Sequence, residues 1–138
     1  MHMYKVVVVD DEPIIVEGMT RTIDWEKWNC EVVSAAYSGQ EGMDAVRKYR
    51  PIILFTDISM PGLDGLSMIA GLKSEFEDME ISILTGYRDF DYAQKAIQLG
   101  VTRFLLKPSN MEELEEAISK MVSNLKKKQI PDSSGQPA

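Results

Sequence analysis

Apolar runs and stretches of helical period alternate along the chain. Tyr4 to Val9 is apolar and rich in β-branched residues, broken only by Lys5, which predicts a strand buried on both faces. Glu31–Ala36, Ile52–Thr56, Glu80–Leu84 and Arg103–Leu106 are the other candidate strands. Between them the period lengthens. Pro13 suits the first turn of a helix to about Ile23, with Ile14, Ile15, Gly18, Met19 and Ile23 inward. Asp24 to Cys30 reads as a loop anchored by Trp25 and Trp28, with Asn29 in a left-handed position. Ser38-Gly39-Gln40-Glu41 is a capping-box pattern that opens a helix to about Tyr49, weakened by Gly42 and stopped by Pro51. Further helices are expected from Gly65 to Phe76 and from Asp89 to Leu99, the second closed by Gly100. A last one follows Ser109-Asn110-Met111-Glu112, with Leu114, Ala117, Ile118, Met121, Val122 and Leu125 as its apolar stripe.

Five βα units at this spacing imply a parallel sheet with helices on both faces. Right-handed crossovers leave few topologies. The expected architecture is α/β, a doubly wound flavodoxin-like (βα)5 sandwich with strand order 2-1-3-4-5. Residues 3–125 form the expected domain. Residues 126–138 open on three lysines, turn rich in Pro, Ser and Gly, and read as a linker or tail.

Composition narrows the functional classes. A chain of 138 residues with 44% hydrophobic and 27% charged residues can bury one real core. No apolar run reaches the roughly 20 residues of a membrane span, and the N-terminus shows no signal-peptide pattern. The single cysteine, Cys30, rules out an internal disulfide and fits a cytoplasmic setting. A net charge of −7 argues against this chain gripping nucleic acid by itself.

The charge acquires a location once the strands are placed. Asp10 and Asp11 follow the first strand and Asp57 follows the third. In a doubly wound sheet these two strand ends flank the switch point, where a crevice opens. Either Asp11 or Glu12, preceding Pro13, could serve only as a helix cap, and Asp57 alone could be an ordinary loop acid. Together they form a cluster of carboxylates that needs a cation, and Mg²⁺ suits such oxygen ligands. Thr85 and Lys107 end the fourth and fifth strands, where a hydroxyl and an ammonium suit a bound phosphoryl group. The Lys107–Pro108 bond can be cis, which would fix where the lysine points.

Four motifs give the sequence a family resemblance. They are Val8-Val9-Asp10-Asp11-Glu12-Pro13, Thr56-Asp57-Ile58-Ser59-Met60-Pro61-Gly62-Leu63-Asp64-Gly65, Leu84-Thr85-Gly86-Tyr87 and Phe104-Leu105-Leu106-Lys107-Pro108. In this order they resemble the receiver domain of two-component response regulators, from about Met3 to Leu125. The stretch from Thr85 to Ala93 and the Asp24-Trp25-Glu26-Lys27-Trp28 connection resemble the subgroup whose receiver precedes an AraC-type helix-turn-helix output domain. Gly86 departs from the commoner Ala of the wider family, and Ser38-Gly39-Gln40-Glu41-Gly42 from its commoner Asn-Gly-Glu-Ala pattern.

The resemblance implies a set of roles. Asp57 is the phosphoacceptor. Asp11 is the direct metal ligand, Asp10 its partner through water, and the Ser59 backbone carbonyl a further ligand for Mg²⁺, with Mn²⁺ a substitute. Thr85 and Lys107 contact the phosphoryl group. Thr85 and Phe104 form the switch, and Ser59 and Tyr87 tune the lifetime of the acyl phosphate. The implied partner is a sensor histidine kinase, with a homodimer on phosphorylation and DNA reached only through an output domain. Two other readings are a phosphohydrolase with an aspartyl intermediate and an interaction module that is never phosphorylated. The first would want an acid at position 59, which is Ser59. The second fits poorly with every acid and Lys107 being present. Phe90, Tyr92 and Ile97 could line an interface or pack inward, with Ile97 expected in the core.

Overall fold

The computed structural model describes residues 3–62, 64–86, 90–128 and 130. Its elements run β1 (Tyr4–Val9), α1 (Pro13–Thr22), β2 (Cys30–Ala36), α2 (Gly39–Tyr49), β3 (Ile53–Thr56), α3 (Gly65–Glu75), β4 (Glu80–Thr85), α4 (Phe90–Gln98), β5 (Arg103–Leu106) and α5 (Met111–Lys127). A 3₁₀ turn, Trp25–Trp28, joins α1 to β2. All strands are parallel, in the order β2-β1-β3-β4-β5.

Strand alternation divides the interior into two cores. Tyr4, Val6 and Val8 of β1 join Ile53 and Phe55 of β3 under α1 and α5. Their neighbours Val7, Val9 and Leu54 turn the other way and join Ile81 and Ile83 of β4 under α2, α3 and α4. Side chains of a strand point alternately to opposite faces, so a continuous apolar run is what a doubly covered sheet requires.

Local chemistry sets the element ends. Ser38 caps α2 by accepting from Glu41 N–H at 3.1 Å. The last helix has a full capping box one residue later than its sequence pattern suggested: Asn110 accepts from Glu113 N–H, and the Glu113 carboxylate accepts from Asn110 N–H. Asn29 holds the left-handed conformation expected of it, φ 59°, and its carbonyl accepts from Tyr4 N–H at 2.8 Å. The whole predicted stripe of α5 is buried, and the helix runs on to Lys127.

Four expectations need correction. Ile14 is exposed and Val16 takes its place in the core, because positions two apart on a helix lie about 200° around it. Cys30 belongs to β2, not to the preceding loop. Ile97 is 60% exposed and Phe90 75% exposed. They lie seven apart and share the outward stripe of α4, while Ala96 faces the core; Tyr92 is half-buried. Gly42, expected only as a weakness, also has a packing role, since an added Cβ would lie 2.8 Å from a Val9 methyl. The helix approaches β1 closely there, and a side chain would have to displace Val9. The expected start of α4 at Asp89 lies outside the described residues.

Candidate functional site

The carboxyl ends of β1 and β3 lie side by side, with Val9 paired to Thr56. Each strand releases an acid at that edge. Asp10 follows β1 and is 2% exposed; Asp57 follows β3 and is 4% exposed. The Asp57 N–H donates to the Val9 carbonyl at 3.0 Å, which carries the pairing one residue past β3. Burying two carboxylates so close together demands compensation.

Part of it comes from Lys107, just beyond β5. Its N–H donates to the Thr85 carbonyl at 2.9 Å, and the Lys107–Pro108 bond is cis. The ammonium reaches Asp10 Oδ2 at 2.8 Å, Glu12 Oε2 at 2.5 Å and Asp57 Oδ2 at 3.0 Å. Backbone donors supply more. Ser59 N–H donates to Asp57 Oδ1 at 2.9 Å, and Glu12 N–H donates to Asp10 Oδ1 at 2.9 Å. The Thr85 hydroxyl, fully buried, is also hydrogen-bonded to the Asp57 carboxylate.

These contacts separate the two acids. Burial is the largest influence on both and favours the neutral acid. At Asp57 the bonds from Thr85, Ser59 and Lys107 outweigh it, so the carboxyl is held below its ordinary range. At Asp10 the bonds from Lys107 and Glu12 N–H do not outweigh burial, which, with help from the neighbouring Asp57 charge, leaves the carboxyl above that range. Asp57 is therefore the better-ionised of the pair. Burial alone would lower Lys107, but its three carboxylate partners raise it, so it stays charged.

Asp10, Asp11, Glu12 and Asp57 each offer an oxygen within 4.8 Å of the others. One ammonium cannot neutralise four carboxylates, and a hard divalent cation suits an all-oxygen set. The expected cluster is thus assembled, and it includes Glu12, whose part was missed. The Glu12 position caps α1 through its backbone alone, and its side chain turns to Lys107 instead. No spacing rule could have shown this, because the two residues are 95 apart in sequence.

The other expected residues fall around this edge. Phe104 is half-buried against the core shared by α3 and α4. Ser59 is exposed, and Tyr87 lies outside the described residues. Gly65, expected as the first residue of a helix, presses on the acid-bearing loop. A Cβ there would sit 2.5 Å from the Ile58 carbonyl oxygen. The start of α3 thus backs directly onto the segment between Asp57 and Ser59.

The sequence matches the response regulator receiver domain family over residues 6–119. It is 33% identical over 128 residues to the transcriptional regulatory protein YesN of Bacillus subtilis, which covers 93% of this chain and 35% of YesN. It is 36% identical over 130 residues to the transcriptional regulatory protein HptR of Staphylococcus aureus, covering 92% of this chain and 50% of HptR. The chain therefore spans about half, or less, of these relatives. The REC domain of AraT, a response regulator from Geobacillus stearothermophilus, has the same fold with a TM-score of 0.86. That alignment is 38% identical and covers 92% of this chain and 98% of the other. An acid-lined edge on a 2-1-3-4-5 sheet and this sequence match agree: the chain belongs to the receiver-domain family of two-component response regulators.

Proposed function

We propose that Asp57 accepts a phosphoryl group from a phosphohistidine of a partner sensor kinase. The observation that carries this is the environment of Asp57: a nearly buried, well-ionised carboxylate at a strand end, flanked by Lys107, Thr85 and Asp10. A carboxylate oxygen attacks phosphorus, the N–P bond breaks, and the imidazole leaves with the electron pair. Lys107 offsets charge on the phosphoryl oxygens, and the Thr85 hydroxyl donates to one of them. Asp10, Asp11, Asp57 and the Ser59 carbonyl would hold Mg²⁺ or Mn²⁺. The bound metal would screen the approach of one anion to another.

The rest of the reading follows from the same edge. Phosphorylation reorients Thr85 and Phe104 and changes the surface of α4 and β5, a population shift between two states. Ser59 and Tyr87 set how fast water cleaves the acyl phosphate, and the domain itself catalyses both its phosphorylation and its dephosphorylation. The transcriptional relatives support a DNA-binding output domain in the full-length regulator. A homodimer formed on phosphorylation would switch it. No described helix is long and apolar enough to cross a membrane. The free Cys30 thiol suits a cytoplasmic setting.

The test is incubation with acetyl phosphate and Mg²⁺ followed by intact mass. The expected result is a gain of one phosphate in the wild type and none in Asp57→Asn. Undiminished labelling of the variant would overturn the assignment.

A further inference from the structure

A second carboxylate is buried at the opposite end of the sheet, and the phosphoacceptor chemistry does not use it. Glu80 opens β4 and is 4% exposed. Its Oε1 accepts from the Thr102 hydroxyl at 2.6 Å and from Asn124 Nδ2 at 2.8 Å. Its Oε2 accepts from Lys128 Nζ at 3.0 Å. Thr102 immediately precedes β5, and Asn124 and Lys128 belong to the last turn of α5 and its cap.

The strand pattern explains why an acid is tolerated there. Ile81 and Ile83 point into the core under α3 and α4. Glu80 and Ser82 therefore face α5. The helix answers both, since Ser82 Oγ donates to Met121 Sδ at 3.3 Å and Asn124 and Lys128 take Glu80. Asn124 and Lys128 are four apart and so lie on one face of the helix. Higher up, the Arg103 guanidinium of β5 grips both oxygens of Glu116 at 3.0 and 2.7 Å. Polar bonds thus tie α5 to β4 and β5 along its length, and Glu80 holds the buried end.

The chain stops being helical at that same place. Lys128 N–H donates to the Asn124 carbonyl at 3.1 Å, and Ile130 N–H donates back to the Leu125 carbonyl at 2.9 Å. The second bond spans six residues, as in a Schellman-type helix end, where an apolar residue commonly folds back onto the helix. Ile130 does so, packing against the core that contains Leu125.

We propose that Glu80 is a latch that locks the last turn of α5 to the base of β4 and so fixes the direction in which the chain leaves the receiver. The same strand ends at Thr85, so the exit and the acidic edge are borne by one rigid strand. Ile130 is held relative to β4 and β5, not to a frayed helix end. The latch does not depend on Asp57 being phosphorylated.

Residue-resolved amide hydrogen exchange tests it in Lys128→Gln and Glu80→Gln. Lys128 is partly exposed, so its variant keeps the test valid if the buried one folds poorly. The expected result is exchange at Lys128 and Ile130 at least about tenfold faster than in the wild type. Amides from Leu114 to Met121 should be unchanged in Lys128→Gln. Lys128→Arg, which keeps a cationic donor, should restore near-wild-type rates. Unchanged exchange at the exit would overturn the latch. So would an equal acceleration throughout α5, which would mean that Glu80 only adds to global stability.

Discussion

The two ends of the sheet bury a carboxylate to the same extent and treat it differently. Glu80 and Asp57 are each 4% exposed, and each is bonded to a lysine just past the end of another element. At the Glu80 end one acid meets one ammonium, and two neutral donors complete its bonds. At the Asp57 end one ammonium is shared by Asp10, Glu12 and Asp57, and Asp11 stands beside them. The first end is electrically closed. The second carries an excess of negative charge in a partly dry setting, where a bound cation would relieve the repulsion. Burial alone does not distinguish a structural acid from a reactive one; the balance of partners does.

The largest contrast should be chemical. Asp57→Asn is expected to lose all phosphoryl labelling from acetyl phosphate, while Glu80→Gln keeps the full mass gain. Loss of labelling in both variants, with the fold intact by circular dichroism, would show that the two ends are not independent.

Next in size is Gly65→Ala. The added Cβ would meet the Ile58 backbone at 2.5 Å, and backbone cannot swing away as a side-chain tip can. Overpacking of this kind costs about 3 kcal/mol at the upper end of its usual range. It should appear as a lower urea midpoint together with slower phosphorylation, because the displaced segment carries Asp57 and Ser59. A stability loss with unchanged labelling would show that the loop relaxes without moving the acid. Gly71, whose Cβ would meet nothing within 4 Å, is the control, and Ala there should be neutral or mildly stabilising.

Gly65 also marks where sequence reading ended. The five strands, the strand order and the strand-end acids were legible, because alternation and turn chemistry are local signals and topology carries them to one edge. Lys107 and Thr85 were legible for the same reason. Glu12 was not, because its side chain is set by an ammonium 95 residues away. Gly42 read as a weak residue and Gly65 as a helix start, since a close approach between elements leaves no trace in either segment alone. Ile97 was expected inside on hydrophobicity, yet the helix phase places Ala96 there instead. Glu80 passed unnoticed as the first residue of a strand, and its significance depends on what α5 presents opposite it.

The closed end should answer to acid. Burial pushes the Glu80 carboxyl up, but the bonds from Thr102, Asn124 and Lys128 outweigh it and hold it below its ordinary 4.5. A carboxyl lowered by folding stabilises the native state above its unfolded pKa, and that contribution is lost as pH falls through the folded value. Lys128, and Lys73 with Asp78, are the other charges facing this site. Glu80→Gln is expected to cost about 2 kcal/mol at pH 7, the worth of hydrogen bonds to a charged group. The gap between wild type and variant should narrow as pH falls below the ordinary 4.5. A gap that stays constant with pH would mean that the carboxylate charge is not what the latch uses.

The smallest effect isolates the open end. If the acidic edge holds Mg²⁺ only in the folded state, the ion adds stability by mass action, about 1.4 kcal/mol at ten times its dissociation constant. Asp11 is exposed, so Asp11→Asn removes a proposed ligand with little disturbance to the core. The Mg²⁺-dependent rise in urea midpoint should be largely lost in Asp11→Asn and fully kept in Glu80→Gln. The independence has a geometric basis: Glu80 and Thr85 stand at opposite ends of one strand, and five rises of a strand are roughly 16 Å. Sites farther apart than about 10 Å, with no shared partner, usually add without interaction. Equal Mg²⁺ increments in wild type and Asp11→Asn would place the ion elsewhere on this acidic surface. A reduced increment in Glu80→Gln would instead show that β4 couples the two ends, and the contrast between a closed end and an open one would become a route between them.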